Sequence, residues 1–142
     1  MFFGEYEYTI DQKGRVTIPP RFRDAFKGGL VLSRGYDECI MVYPMPEWEK
    51  RAEELAHMPM TRSKSRRLNR AIFSSAFSLD LDPQGRVILP APLRDYAGIV
   101  NEVVIAGARS CLEIWSKEAW ALEKKLMDEQ VWQIAESIEE RT

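Results

Sequence analysis

The chain contains the same segment twice. Residues 10–24 align with residues 81–95 at an offset of 71, and seven of the fifteen pairs are identical, including Asp11/Asp82, Gly14/Gly85, Arg15/Arg86, Pro19/Pro90 and Arg23/Arg94. After a slip of one residue the match continues, with Gly35, Cys39, Ile40, Val42, Tyr43 and Trp48 corresponding to Gly107, Cys111, Leu112, Ile114, Trp115 and Trp120. Internal repetition constrains a fold more than any local propensity, because each copy is one supersecondary unit that completes its core against the other. The expected organisation is a first repeat with a helix over 1–60, a basic helical linker over 61–76, and a second repeat with a C-terminal helix over 77–142.

Each copy reads as one short program. Asp11 and Gly14, like Asp82 and Gly85, stand at the first and fourth positions of a four-residue turn, and Pro83 adds the residue favoured second. The flanks alternate apolar and polar residues, so strands are expected over 6–10 and 15–18 in one half and over 77–81 and 86–89 in the other. A tight reversal would join the two strands of each half. Pro19 and Pro90 then end the strand pairing. Short helical turns follow over 20–26 and 92–97, with proline near the start, where a missing N–H costs little. Two further strands complete each half, at 30–33 and 39–43 and at 103–106 and 111–115. Residues 47–58 form a helix with Trp48, Ala52 and Leu55 on one face. Residues 63–75 form another, with Leu68 and Ile72 as its apolar pair. Ser116 is the N-cap of a long helix running from 117 towards 140, in which Met127, Val131, Ile134 and Ile138 recur at 4, 3, 4 spacing. That stripe packs either on the chain's own sheet or against a neighbouring subunit.

Charge separates the halves. Residues 1–75 hold 13 Lys and Arg against 10 Asp and Glu, whereas residues 76–142 hold 7 against 12, and the whole carries a formal charge of -2. Any affinity for nucleic acid is therefore local. Two basic stretches qualify: Lys13, Arg15, Arg21, Arg23 and Lys27, and the linker residues Arg62, Lys64, Arg66, Arg67 and Arg70. The linker charges equally suit a solvated face or an ionic partner for the acidic last helix. No apolar run approaches the roughly 18 residues of a membrane span, and Met1-Phe2-Phe3-Gly4-Glu5 lacks the basic start of a secretory leader. A cytoplasmic protein is expected. Cys39, Cys111 and the lone His57 cannot make a four-ligand Cys/His zinc site. No metal, cofactor or small-molecule substrate is expected, and the cysteines read as small buried hydrophobes. Asp11 and Asp82, duplicated in the two halves, invite comparison with a carboxylate dyad, but Gln12-Lys13 and Pro83-Gln84 follow them, which suits turns and not acid–base chemistry. The chain does not read as an enzyme.

The doubled Asp-x-x-x-Arg turn followed by an apolar strand and proline, the initial Met-Phe-x-Gly, and the linker with Arg66, Arg67, Arg70 and Phe73-Ser74-Ser75-Ala76 together resemble the MraZ family of bacterial transcriptional regulators. The resemblance covers essentially the whole chain. It implies an α+β fold, a tandem double-split β-α-β barrel of the AbrB and MazE type, with extra helices after each repeat. It further implies a repressor that binds direct repeats in double-stranded promoter DNA ahead of the division and cell wall gene cluster. The expected assembly is a ring-like homo-oligomer, octameric or larger, located at the nucleoid. The residues that fit DNA contact are Lys13, Arg15, Arg21, Arg23 and Arg86, with Asp11, Gly14, Asp82 and Gly85 building the turns. Each arginine of the motif has an alternative use, an ion pair with the aspartate of its own turn, expected more for Arg86 than for Arg15 because the first copy is richer in charge. Phe3 departs from the basic residue that the family pattern would place there. Two other readings stay open: an oligomeric protein-interaction scaffold, favoured by the net acidity, and an AbrB/MazE-type antitoxin.

Overall fold

The computed structural model describes residues 1–141 and the side chains of residues 1–139. Eight strands and five helices follow one another as β1 (Glu5–Thr9), β2 (Arg15–Thr17), a 3₁₀ helix (Pro20–Phe26), β3 (Leu30–Arg34), β4 (Ile40–Pro44), α1 (Met45–Ala56), α2 (Ser63–Phe73), β5 (Phe77–Leu79), β6 (Arg86–Ile88), α3 (Ala91–Ala97), β7 (Glu102–Gly107), β8 (Leu112–Ser116) and α4 (Lys117–Arg141). The class is α+β with antiparallel sheets, and no helix among the described residues is long and apolar enough to cross a membrane.

The tight reversals at Asp11–Gly14 and Asp82–Gly85 are present, but the two strands that each one joins pair with strands of the other half and not with each other. β1 pairs with β7 and β5 with β3, so each half lends an outer strand to the other half's sheet. β2 pairs with β6, Val16 facing Val87. The physical reason is length: a three-residue strand forms too short a ladder to stand as an isolated hairpin. By crossing to the other copy, β2 and β6 bring Val16, Ile18, Val87 and Leu89 into one shared core, where none is more than 1% exposed. Burying such a side chain stabilises the fold by about 2 kcal/mol, so the exchanged pairing is favoured over two solvated hairpins. The hairpins β3–β4 and β7–β8 are local, and β4 joins β8 to give the six-stranded order β1-β7-β8-β4-β3-β5.

The inner face of this sheet, with Leu30, Leu32, Ile40, Val42, Val103, Ile105, Leu112 and Ile114, packs against the β2–β6 ribbon, the 3₁₀ helix and α3. Phe22 and Phe26 close this core from the first copy, with Phe2 against both rings, and Leu93 and Ala97 close it from the second. α3 stops at Gly98, whose φ of 64° supplies the left-handed residue of a helix C-terminus. The outer face carries α1, α2 and α4. α1 starts at Pro44-Met45-Pro46, and its Trp48 packs on Tyr43 of β4. α2 is tied to β3 where the Ser33 hydroxyl donates to the Ile72 carbonyl at 3.3 Å. α4 begins as its N-cap predicts, the Ala119 N–H donating to Ser116 Oγ at 3.1 Å. Its first turns lie on β7 and β8, with Trp120 against Trp115.

Candidate nucleic-acid interface

The ribbon made by β2 and β6 is where the two copies of the motif meet. Beyond the strands its ladder is extended by bonds from the Ile18 N–H to the Gly85 carbonyl at 2.9 Å and from the Leu89 N–H to the Gly14 carbonyl at 2.8 Å. One turn therefore sits at each end, about 13 Å apart for four residues at strand rise. Because Val16 and Val87 point into the core, alternation turns Arg15, Thr17, Arg86 and Ile88 to the opposite, outer face. Arg15 lies across from Ile88 and Thr17 across from Arg86.

Each turn is held by its aspartate in the same way. Asp11 Oδ1 accepts the backbone N–H groups of Lys13 at 3.0 Å and Arg15 at 2.8 Å, and Oδ2 accepts Arg15 Nε at 2.7 Å. In the second copy Asp82 Oδ1 accepts the N–H groups of Gln84 and Arg86, both at 2.9 Å, and Oδ2 accepts Arg86 Nε at 2.8 Å. The turns close through Gly14 N–H to Asp11 O and Gly85 N–H to Asp82 O, with φ of 79° and 77° at the two glycines. These left-handed values fit a glycine that adds one residue to a tight turn. The N–H of Arg15 on Asp11, and that of Arg86 on Asp82, hold both carboxyls below the usual carboxylate range, with the guanidinium of the same arginine adding to the effect.

The ion pair within each motif is thus present in both copies alike, and the expected difference between Arg15 and Arg86 is absent. Local geometry accounts for this: four residues across a fixed turn set the reach of the carboxylate, whatever charge surrounds it. The pairing uses only Nε. Among the described residues the terminal nitrogens of both arginines have no acceptor, leaving the guanidinium edge that binds two acceptors at once.

The two halves also lock each other's turns. Arg23 lies across Gly85 while its Nε donates to the Ile18 carbonyl at 3.1 Å. Its counterpart Arg94 lies against Gly14, its Nε on the Leu89 carbonyl at 2.9 Å. The identity of Arg23 and Arg94 in the repeat was the sequence signal for this exchange, although which turn each one touches is not a local property. Arg23 is half-buried, whereas Lys13 and Arg21 are exposed. The Arg21 guanidinium stacks on Phe3 at 4.9 Å and on Phe22 at 5.6 Å, and its Nη1 donates to Tyr6 Oη at 3.4 Å. Phe3, the position that departs from the family pattern, is thus the platform for Arg21. Thr17 and Ile88 were not singled out from the sequence. The apolar run Val87-Ile88-Leu89 conceals that its middle residue faces outward and is 54% exposed.

The linker arginines stand elsewhere, on α2. Among the described residues none of Arg62, Lys64, Arg66, Arg67 and Arg70 forms an ion pair. Cys39 and Cys111 are buried and unpaired by disulfide, and burial pushes the Cys111 thiol up to about 11. No cluster of three or more His, Cys, Asp or Glu among the described residues is placed to hold a metal ion.

Comparison with known proteins agrees with the doubled motif. A family model described as "MraZ protein, putative antitoxin-like" matches twice, over residues 1–71 and 72–139. A protein named Transcriptional regulator MraZ from Dehalococcoides mccartyi is 54% identical over 141 residues, 99% of each chain. Proteins of the same name from Herpetosiphon aurantiacus and Thermomicrobium roseum are 48% and 42% identical, covering 84% and 89% of each chain respectively. Two family matches in tandem and full-length relatives at this identity leave one conclusion: the chain belongs to the MraZ family.

Proposed function

We propose that the chain is a sequence-specific DNA-binding transcriptional regulator, a repressor that occupies direct repeats upstream of the division and cell wall genes as a ring-like oligomer. The fold carrying this function is, on this reading, the AbrB-like double-split β-α-β barrel, for which the exchanged pairing of β1 with β7 and β3 with β5 is the support. The observation that carries the functional reading is the outer face of the β2–β6 ribbon, where Arg15 and Arg86 offer guanidinium edges from turns their own aspartates fix. A two-stranded ribbon fits the major groove, and arginine pairs with guanine O6 and N7 or with phosphate. Lys13 adds positive charge at the first turn, and Arg21 and Arg23 stand on the 3₁₀ helix towards the opposite end, where Arg23 packs against the second turn.

Net charge makes assembly part of the mechanism. A chain of charge -2 whose ribbon offers Arg15 and Arg86 neutralises about two phosphates there, for a salt slope near 2 on logarithmic axes, which is weak binding. Identical ribbons on one ring turn later contacts into intramolecular ones and raise avidity by roughly 10² to 10⁴ where the repeat spacing fits. The test is fluorescence anisotropy with a labelled fragment of the chain's own upstream region and a random fragment of equal length. The parent binds the first selectively, with affinity falling steeply as salt rises. Arg15→Ala weakens specific binding by about 5- to 150-fold, since each bidentate base contact contributes about 1–3 kcal/mol. Unchanged affinity in that variant removes Arg15 from the interface.

The family description also favours a second reading, an antitoxin of the AbrB/MazE type. It requires a tight complex with a partner protein, which co-purification from the native host would reveal; a chain recovered only with itself and DNA leaves the regulator.

A further inference from the structure

α2 and the residue before it carry five cations that nothing in the fold uses. Among the described residues the side chains of Arg62, Lys64, Arg67 and Arg70 are exposed and make no ion pair or hydrogen bond, while half-buried Arg66 donates to the Met60 carbonyl at 2.9 Å. From residue 55 to residue 79 there is no acid, in a chain whose overall charge is -2. Like charges three or four apart on a helix repel, and Lys64 with Arg67, Arg66 with Arg70, and Arg67 with Arg70 are such pairs. Arg62 and Lys64 also stand at the positive end of the helix dipole, with no acid in the first turn. The cluster thus works against the helix that carries it, and a local conflict of this kind marks a place of function. The acidic last helix does not relieve it. α4 lies on β7 and β8, whereas α2 packs on β3, two strands beyond β8 in the sheet.

The exposed side of α2 identifies what it meets. Ile72 is buried and Leu68 half-buried against the sheet, and the helix's exposed large apolar residue, Phe73, packs its ring on Trp48 at 5.6 Å. A protein partner needs an apolar centre from which charge is depleted, and a membrane surface needs an apolar face to insert. α2 offers neither. Phosphate needs cations and hydrogen-bond donors, which Lys64, Arg67 and Arg70 supply, flanked by exposed Ser63 and Ser74. Lys64 to Arg70 covers about 9 Å of helix axis, enough to face about three phosphates of one strand at roughly 3.4 Å of duplex axis each.

We propose that α2 is a second nucleic-acid surface, one that binds the phosphate backbone of double-stranded DNA without reading sequence, through Lys64, Arg67 and Arg70. It is separate from the ribbon. α2 is held on the outer face of the six-stranded sheet, where Ser33 donates to Ile72, and the ribbon packs on the inner face, so about 20 Å of protein lies between them. A duplex seated on the ribbon does not reach α2 of the same subunit, and the segment bound there is a second one. Each subunit thereby joins two stretches of DNA. The contact at α2 holds whether or not the ribbon reads an operator.

The test uses the full chain with Arg15→Ala and Arg86→Ala, which silence the ribbon, and a fluorescent random duplex followed by anisotropy. This chain still binds. With one subunit engaged, three phosphate contacts give a salt slope of about 2.7 on logarithmic axes, an affinity loss of about 40-fold between roughly 50 and 200 mM salt. Adding Lys64→Gln, Arg67→Gln and Arg70→Gln, which keep good helix formers at exposed positions, leaves circular dichroism unchanged and abolishes that binding, whereas Arg67→Lys with Arg70→Lys retains it. No binding by the ribbon-silenced chain, or equal binding with and without the triple substitution in α2, overturns the proposal. A fall in assembly mass on sedimentation of the triple variant also overturns it, by assigning the cations to an acidic protein surface. Joining is read separately. With the chain's own upstream fragment on beads, the parent retains a labelled random duplex, while the chain carrying the α2 substitutions alone binds the fragment as the parent does and loses the duplex; equal retention overturns the proposal. Arg15→Ala on the upstream fragment judges the ribbon alone, so failure of either reading leaves the other standing.

Discussion

The glycines at the two turns occupy equivalent places and share a left-handed backbone, yet replacing them with alanine should not cost the same. A side chain in that conformation costs about 1–2 kcal/mol wherever it is placed, which applies to Gly14 at φ 79° and Gly85 at φ 77° equally. The surroundings differ. At Gly14 a new Cβ meets nothing nearer than Arg94 Cζ at 3.3 Å, which yields by a few tenths of an ångström. At Gly85 the Cβ falls inside the Arg23 side chain, which must swing away and release its Nε bond to the Ile18 carbonyl. A hydrogen bond from a charged donor contributes about 1.5–3 kcal/mol. Gly14→Ala should therefore cost about 1–2 kcal/mol and Gly85→Ala about 3–4 kcal/mol, a gap of about 2 kcal/mol that separates the melting temperatures by about 7 °C at this chain length. Urea unfolding at one fixed protein concentration measures both, which holds constant any contribution of association to the midpoint. The cycle with Arg23→Ala isolates the cause: in that background Gly85→Ala should fall back to about 1–2 kcal/mol, while Gly14→Ala is unmoved. Equal losses at the two glycines, or no coupling between Gly85 and Arg23, would refute the account of how the halves lock each other's turns.

Ile88 is the apolar residue on a face otherwise made of Arg15, Thr17 and Arg86. Against DNA it suits a thymine methyl, so Ile88→Asn should relax base preference at one operator position, read from a panel of mutated repeats, while thermal stability stays within about 0.5 kcal/mol of the parent. The carboxyls of Asp11 and Asp82 are depressed in the folded chain, so they contribute stability above the unfolded carboxylate range near pH 4 that is lost as pH falls through the lower folded values. Urea midpoints measured from pH 6 down to pH 2 should drop for the parent and flatten for Asp11→Asn with Asp82→Asn; parallel curves would remove the turn aspartates from acid stability.

Much of this architecture was legible because its signals are local. Asp11 to Gly14 and Asp82 to Gly85 carry their turn chemistry in four residues, Pro19 and Pro90 mark where the ribbon ends, and Ser116 announces α4. What escaped is what depends on partners distant in the chain. The alternation around Asp11 is equally compatible with β1 pairing to β2 or to β7, and only the shared core decides. The same holds for Arg23, whose position beside Gly85 joins residues from different halves, and for Phe3, whose use as a stacking surface for Arg21 depends on where the first residues lie. Charge counting misled for Arg15 and Arg86, because an ion pair four residues across a rigid turn is fixed by geometry before charge density matters.

Joining two copies in one chain permits what two identical subunits could not, a ribbon with unequal ends. A symmetric dimer of identical motifs presents the same charge at both turns and matches a palindromic site. Here the first turn has Lys13 where the second has Gln84, and Arg21, on the 3₁₀ helix beside the second turn, has Pro92 of α3 as its counterpart beside the first, around the common Asp-x-x-x-Arg frame. On the proposed reading this asymmetry gives each subunit a direction on the duplex, which is what repeats in direct orientation require. Equalising the ends should erase the direction. Gln84→Lys together with Pro92→Arg adds one cation at each end, so that the two ends match, steepening the salt slope by up to about 2 on logarithmic axes if each meets a phosphate. The altered chain should bind inverted and direct repeats with affinities within a few-fold of each other, whereas the parent prefers direct repeats. Competition between the two fragment types at constant salt measures this, and a variant that kept the parent's preference would place the source of direction in the ring and not in the ribbon.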